Sequence, residues 1–324
     1  MKKRVLIFLC STVNFYCCIA QIININPVPV EIGTTHFNPE AIRKNNIKRI
    51  EIKVVNKPDG SRIIDKGTTF EYKFNTKGYI TDYYYTVFNK IQVVDAPPVP
   101  AKANNETSPP NIVKYINDTV FTNIMYDDLD RITCKRIKND TVYDAYYYTY
   151  NALNQITKEV HYKETNAGNN LDSFKLGTRE LVFSETFEYK ILNPNQTKKI
   201  SLNRRRFPYK STFIKYDSNK NIINETNEST VSSVRQVYNY EYNSDNKLIK
   251  KSYTSNENGN LLLESIYEYD KNGNLSAEKT YKNSELFYER NYIYDGNGIF
   301  IQSEINRNYK TVTIFIAKYA YEYY

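Results

Sequence analysis

Tyr267-Glu268-Tyr269-Asp270-Lys271-Asn272-Gly273-Asn274-Leu275 reads as two short strands joined by a tight turn. An Asp at the first turn position accepts backbone N–H groups of the turn, two unrestricted residues take the right-handed corners, and Gly273 meets the demand for positive φ at the fourth position. Such a loop sets Asp270 opposite Asn274, which places Tyr269 opposite Leu275 on one face of the sheet. Tyr267 and Tyr269 then share that face and Glu268 takes the other, the alternation of a half-solvated antiparallel strand.

The phrase recurs along the chain. A second clear copy is Tyr292-Ile293-Tyr294-Asp295-Gly296-Asn297-Gly298-Ile299-Phe300, and weaker copies centre on Phe74, Tyr126, Tyr150, Tyr216 and Tyr242. From Phe74 the steps are 52, 24, 66, 26, 27 and 25 residues. The step of 52 leaves room for a lost copy in the Pro-rich stretch 96–112, and the step of 66 for a degraded one at Leu192-Asn193-Pro194-Asn195-Gln196. One more step beyond Tyr294 reaches Tyr319 in a Tyr-rich terminal strand. Gly78 and Gly298, with Asp130, Asn154 and Asn246, suit the positive-φ position; Lys220 suits it worst. The expected pairs are Phe74 with Ile80, Tyr126 with Ile132, Tyr150 with Ile156, Tyr216 with Ile222, Tyr242 with Leu248, Tyr269 with Leu275 and Tyr294 with Phe300. Each is worth about 0.2–1 kcal/mol over an alanine pair.

Fixed-period self-similarity decides fold class ahead of local propensity. Helix signals are weak throughout, since β-branched, aromatic and Asn residues dominate. The expected fold is all-β: repeated antiparallel hairpins over 68–324 forming an elongated or curled twisted sheet, preceded by a cap or extra strands at 21–67, with 96–112 as an exposed loop. Such an array has open ends, so the apolar stretch 312–316 must be paired, covered or used for edge-strand association.

Tyr-x-Tyr-Asp-x-x-Gly-x-Leu at a period near 25 resembles the YD repeat of Rhs proteins and teneurins. The resemblance covers about 68–324 and implies secretion and a spiralling antiparallel sheet. Seven or eight units are too few for the closed shell of the large members, and no self-cleavage region or toxin domain is there to carry over. The shorter MORN-like repeats are the rival likeness; Tyr281-Lys282-Asn283-Ser284 is similar to their phrase without its Gly.

Lys2, Lys3 and Arg4, an apolar run over 5–19 and Cys18-Ile19-Ala20 before Gln21 read as a bacterial signal peptide at 1–20. Its removal takes three of the 4 Cys, leaving Cys134 and no intramolecular disulfide. It also lowers the formal charge from +8 to +5, because residues 1–20 contain no acid. That mild excess is no nucleic-acid signature. The remaining sequence has no stretch apolar and long enough for a transmembrane helix. The expected location is exported: periplasm, cell surface or extracellular.

Two His, His36 and His161, stand without Cys or carboxylates at metal-ligand spacing. There is no Gly-x-Ser-x-Gly elbow, His-Glu-x-x-His or phosphate loop, so no catalytic residue, metal or cofactor is assigned. Asp270-Lys271-Asn272-Gly273-Asn274 alternates oxygen ligands, yet Leu275 and Tyr281 stand where a calcium loop needs Gly and Glu. Cys134 reads as a buried small hydrophobe. The strongest basic cluster runs from Lys198 and Lys199 through Arg204, Arg205 and Arg206 to Lys210, interleaved with Phe207 and Tyr209, chemistry suited to an envelope polyanion. By strand parity Tyr83, Tyr85 and Tyr147 fall on the outer face, free to stack on a ligand.

Three functions follow from these features. The first is a non-catalytic exported repeat protein that binds a glycan or another surface component. The second is an outer-membrane β-barrel, with Lys and Glu recurring where a lipid-facing band should be apolar. The third is a carbohydrate-active enzyme using a carboxylate pair.

Overall fold

The computed structural model describes residues 22–25, 37–94, 112–139, 141–168, 174–257 and 261–324. The expected signal peptide at 1–20, His36 and most of the Pro-rich stretch 96–112 lie outside them. One short helix, α1 (Pro39–Lys44), precedes eighteen strands: β1 (Ile47–Pro58), β2 (Ile64–Phe74), β3 (Ile80–Val94), β4 (Ile112–Tyr126), β5 (Ile132–Asn139), β6 (Val142–Tyr150), β7 (Ile156–Asn166), β8 (Leu176–Asn193), β9 (Gln196–Leu202), β10 (Pro208–Tyr216), β11 (Ile222–Ser229), β12 (Arg235–Tyr242), β13 (Leu248–Ser255), β14 (Leu261–Tyr269), β15 (Leu275–Lys282), β16 (Glu285–Tyr294), β17 (Ile301–Asn308) and β18 (Thr313–Tyr323). Each strand pairs antiparallel with the next, and β18 pairs with β1 from Ile47 opposite Tyr323 to Pro58 opposite Thr313. The all-β hairpin array is therefore a closed up-and-down barrel. Since β18 is bonded on both sides, residues 312–316 present no free edge, which corrects the expectation of edge-strand association.

The turns alternate between two mouths, and the repeated phrase builds one of them. Oδ1 of Asn75, Asp127, Asn151, Asp217, Asn243 and Asp270 each accepts the N–H groups two and four residues on, at 2.8–3.0 Å. All seven fourth-position residues, Lys220 included, have φ between +58° and +89°. Six of the seven expected pairs face each other. The exception is Tyr294, which faces Ile301 because the loop after Asp295 is one residue longer: Asp295 N–H bonds Phe300 C=O, where Asp270 N–H bonds Asn274 C=O. Among the described residues the step of 52 is taken up by β3 and β4, 15 residues each and paired with one another out to Val94 opposite Ile112, and the place expected for a lost copy lies almost wholly outside them. The step of 66 does contain the expected degraded hairpin, with Asn193 opposite Gln196.

After each pair the register slips by one residue. Phe74 faces Ile80, but Lys73 faces Asp82, leaving Thr81 in a bulge. A single extra residue inverts the parity of everything beyond it. Tyr83 and Tyr85 consequently face the lumen, stacked on Tyr72 at 5.7 Å and Phe70 at 6.0 Å, which corrects their assignment to the outer face. Tyr147 is outside, opposite Cys134.

The lumen face is identified by what packs on it. Phe37 meets Tyr72 and Phe74 edge-on at 4.9 and 5.4 Å, and Ala41 and Ile42 of α1 are fully buried among β1–β4 residues. Ile23 and Ile25 pack against the second core cluster, which includes Tyr240, Tyr267, Leu275 and Tyr292 of the other strands. One N-terminal segment touches both arcs only by lying across the interior, so residues 22–25 and 37–44 stop the mouth at the repeated turns. Gly78 is required there twice over: its φ is +89°, and a Cβ would stand 2.0 Å from the Pro39 carbonyl oxygen.

A ladder of tyrosines ties each hairpin to the one before it. The hydroxyls of Tyr126, Tyr150, Tyr189, Tyr242, Tyr269, Tyr294 and Tyr321 donate to the carbonyls of Ile80, Ile132, Ile156, Ile222, Leu248, Leu275 and Ile301, at 2.6–3.0 Å. These carbonyls belong to the aliphatic partner of the previous hairpin, which is why the repeat uses Tyr rather than Phe. The terminal rung is Tyr321; Tyr319, the residue reached by counting, sits one row deeper and donates to Glu304 at 2.7 Å.

The outer wall is polar. Arg307, Glu289, Lys279, Ile266, Lys250 and Glu241 follow one another directly across β17 to β12, and pairs such as Lys279–Glu268 (2.6 Å) and Lys250–Glu264 (2.8 Å) lie on it. Of the eighteen strands, only β4 and β6 lack an ionic side chain on this face.

Candidate functional site

Inward from the aromatic–aliphatic pairs at the repeated turns, the lumen wall carries titratable groups in two arcs. On β15–β18 they neutralise one another: Arg290 reaches Glu304 at 3.0 Å and Glu278 at 3.5 Å, Asn306 donates to Glu304 at 2.7 Å, and Tyr319 takes its second oxygen. That arc is a satisfied network.

The arc over β5–β11 is different. Glu159 on β7 lies directly opposite Glu185 on β8, with Lys199 on β9, Lys210 on β10 and Glu225 on β11 facing the same space. Among the described residues no ion pair within 4 Å joins Lys199, Lys210, Glu159 or Glu185 to an opposite charge, although both signs are present. Burial pushes the Glu159 carboxyl up, and the neighbouring Glu185 pushes it further. Burial lowers the Lys199 ammonium, helped by Lys210, and burial also lowers Lys135. The Tyr209 phenol is raised by burial and by the Glu185 carboxylate beside it. Opposed titratable groups displaced in a partly desolvated recess mark a candidate site.

Aromatic faces frame this arc. Lys199 Nζ stands 4.2 Å from the centre of the Phe187 ring, His161 stacks on Tyr146 at 4.4 Å, and Phe183 meets His161 edge-on at 5.2 Å. His161 Nε2 lies 2.8 Å from Asp144 Oδ1. Above them a cavity of about 400 Å³ opens at the rim, lined by Phe183, Glu185, Asn203, Arg204 and Tyr209 among others. The basic cluster therefore divides. Arg204, Arg205 and Arg206 form the β9–β10 turn at the rim, Lys199 and Lys210 enter the lumen, and Lys198 lies outside over Phe213. Arg206 takes φ +63° and its guanidinium sits 3.7 Å from Glu188.

Of the residues singled out in the sequence, Arg204 and Tyr209 of the basic-aromatic cluster line this cavity. Tyr83 and Tyr85 are in the lumen on β3, and Tyr147 is on the outer wall. Sequence reasoning missed Glu159, Glu185 and Tyr209 as a group. They sit on three strands, and only the bulges bring them to one face.

No family model matches the chain, and no curated protein matches it. Among solved structures it is similar to a porin-like protein from Bacteroides uniformis, at 13% identity and TM-score 0.40 over 86% of this chain and 97% of that one. It is similar also to a porin-like protein from Bacteroides vulgatus, at 8% identity and TM-score 0.33 over 85% and 98%. A third likeness is to the TcdB2-TccC3-TEV chain, at 10% identity and TM-score 0.21 over 75% of this chain and 16% of that one. Likenesses this distant carry no argument about what the barrel binds.

Proposed function

We propose that the chain is an exported, non-catalytic β-barrel of the cell envelope that holds a glycan segment at the rim of its open mouth. The observation that carries this reading is the contrast between the two mouths. One is stopped by apolar residues, and the other presents donors, acceptors and aromatic faces around a cavity of about 400 Å³. A hydroxyl-rich ring needs donors and acceptors at its edge and an apolar face beneath, which Arg204, Glu185 and Tyr209 with Phe183 supply. A simple polyanion fits less well, since Glu159 and Glu185 would repel it. The test is calorimetric titration of residues 21–324 with envelope oligosaccharides. Binding that weakens at least about tenfold in Tyr209→Ala and Arg204→Ala supports the reading; no binding, or binding indifferent to both changes, removes it.

A lipid-inserted barrel is the second reading, favoured by closure at 18 strands, a number at which barrels keep an aqueous interior. Against it stands the outer wall. Transmembrane barrels present an apolar band about 25 Å tall, and each Arg or Lys at its centre costs about 2–4 kcal/mol. The belt from Arg307 to Glu241 crosses any such band. Partition of the purified chain into the aqueous phase of a detergent separation supports a water-facing barrel, and partition into the detergent phase supports insertion.

A further inference from the structure

A second cavity, of about 520 Å³, lies on the outer wall across β2–β6. It is separate from the lumen and its rim. Ala145, directly opposite Arg136 on β6, carries only a methyl group beside it. Phe121, Met125 and Tyr143 form the walls, and Phe174, just ahead of β8, folds over as a lid against Tyr143 at 5.1 Å.

Arg136 is held there by a buried carboxylate. Glu164, with 0% of its side chain exposed, takes Arg136 Nε at 2.9 Å and Arg179 at 2.7 Å, and the Tyr147 hydroxyl donates to it at 2.7 Å. Burial alone would raise the Glu164 carboxyl, but hydrogen bonds from Tyr147 and Arg136 outweigh it and hold the group below its ordinary value. One negative charge thus serves two guanidiniums. Arg136 Nη2 donates to the Tyr147 hydroxyl at 2.8 Å, whereas Nη1 has, among the described residues, only the Met125 thioether at 3.1 Å, a weak acceptor, and the guanidinium lies 4.4 Å from the Phe174 ring. Lys73 stands at the far side, its ammonium 6.0 Å from the centre of the Tyr84 ring. Asp82, across from Lys73, gives an oxygen to Asn123 at 2.8 Å. Three cations against two carboxylates leave the cavity one positive charge in excess.

We propose that this outer-wall cavity binds a small anion with a flat apolar body, such as an aromatic carboxylate, whose oxygens take Arg136 Nη1 and whose ring lies against Phe174 and Tyr143. The volume suits a compact ligand, and a mostly apolar lining with one oriented charged donor is the usual composition of such sites. A guanidinium edge that meets only a weak thioether acceptor recognises a carboxylate better than an ammonium would.

The chain contains no Trp, so an indole ligand can be followed by its own fluorescence without protein background. Indole-3-acetate titrated with residues 21–324 is expected to gain anisotropy, and tryptamine, the cation of the same ring, to bind at least about tenfold more weakly. Phe174→Ala removes the lid without touching the barrel's pairing and is expected to weaken indole-3-acetate about tenfold. Lys199→Met, inside the lumen, is expected to leave it unchanged. No gain in anisotropy, equal binding of tryptamine, undiminished binding in Phe174→Ala or loss in Lys199→Met would each overturn the proposal.

Discussion

The hydroxyl of Tyr324, just past β18, donates to the carbonyl of Phe74, 250 residues earlier, so the end of the last strand is tied to the first repeated hairpin by a tyrosine-to-carbonyl bond like those of the ladder, but onto the aromatic member of the pair. Phe74, without a hydroxyl, only receives.

That ladder is testable rung by rung. Tyr242→Phe, Tyr269→Phe and Tyr294→Phe each keep the ring against its aliphatic partner and orphan one half-buried carbonyl, and each is expected to cost about 1–2 kcal/mol in urea unfolding. The rungs share no partner, so a double change at Tyr242 and Tyr294 should add. An unchanged midpoint in all three would show that the hydroxyls contribute nothing.

The turns make a second test. Asp270→Ala removes two backbone hydrogen bonds to one carboxylate oxygen, at 2.9 and 2.8 Å, and is expected to cost about 1–3 kcal/mol. At Asn246, with φ +58°, Ala should be worse than Gly by about 1 kcal/mol, because only the Cβ is penalised in that conformation. Equal stability of the two variants would contradict the assigned turn.

Glu164 sets an acid limit. Its folded-state value is held below the ordinary carboxylate value, so the folded state releases that proton more readily than the unfolded chain does. The stabilisation is complete above the unfolded value near 4.5 and is lost as pH falls through the lower folded value. Glu164→Ala, which leaves Arg136 buried without its partner, is expected to cost about 3–5 kcal/mol at neutral pH. It should also flatten the acid branch of the stability profile, read from melting temperatures across the acid range.

Lys199 sets the opposite dependence. Its ammonium is lowered by burial and by Lys210, so the unfolded chain binds that proton more tightly and wild-type stability should rise with pH as the ordinary lysine value of 10.5 is approached. Lys199→Met removes that rise and melts at or above the wild-type temperature at neutral pH. A variant that melts far lower would make Lys199 a structural residue instead.

Much of the fold was legible in the sequence because the turn chemistry is local. Asp270, Gly273 and the Tyr269–Leu275 pair lie within seven residues, and the same logic placed five other pairs. The bulges were not legible. Thr81 resembles any other strand residue, yet it alone turns Tyr83 and Tyr85 inward. Closure was hidden for a related reason, since the curvature that brings β18 to β1 accumulates over all eighteen strands and no single repeat records it. The clusters around Glu185 and Arg136 gather residues from several strands, with neither spacing nor motif to announce them. Arg204 was visible only because it lies in a run of three.

The β1–β18 seam also dictates an order of assembly. Seventeen of the eighteen strand pairings join neighbours along the chain, so each hairpin can zip onto the previous one with little loop to close. The seam requires the two ends of the chain to meet, a closure whose entropy cost grows only slowly with length but which no local contact prepares. Until then β1 and β18 are exposed, apolar and ready to accept another chain. Slow folding and concentration-dependent aggregation should therefore both trace to this one step, and a covalent link across the seam should relieve them together.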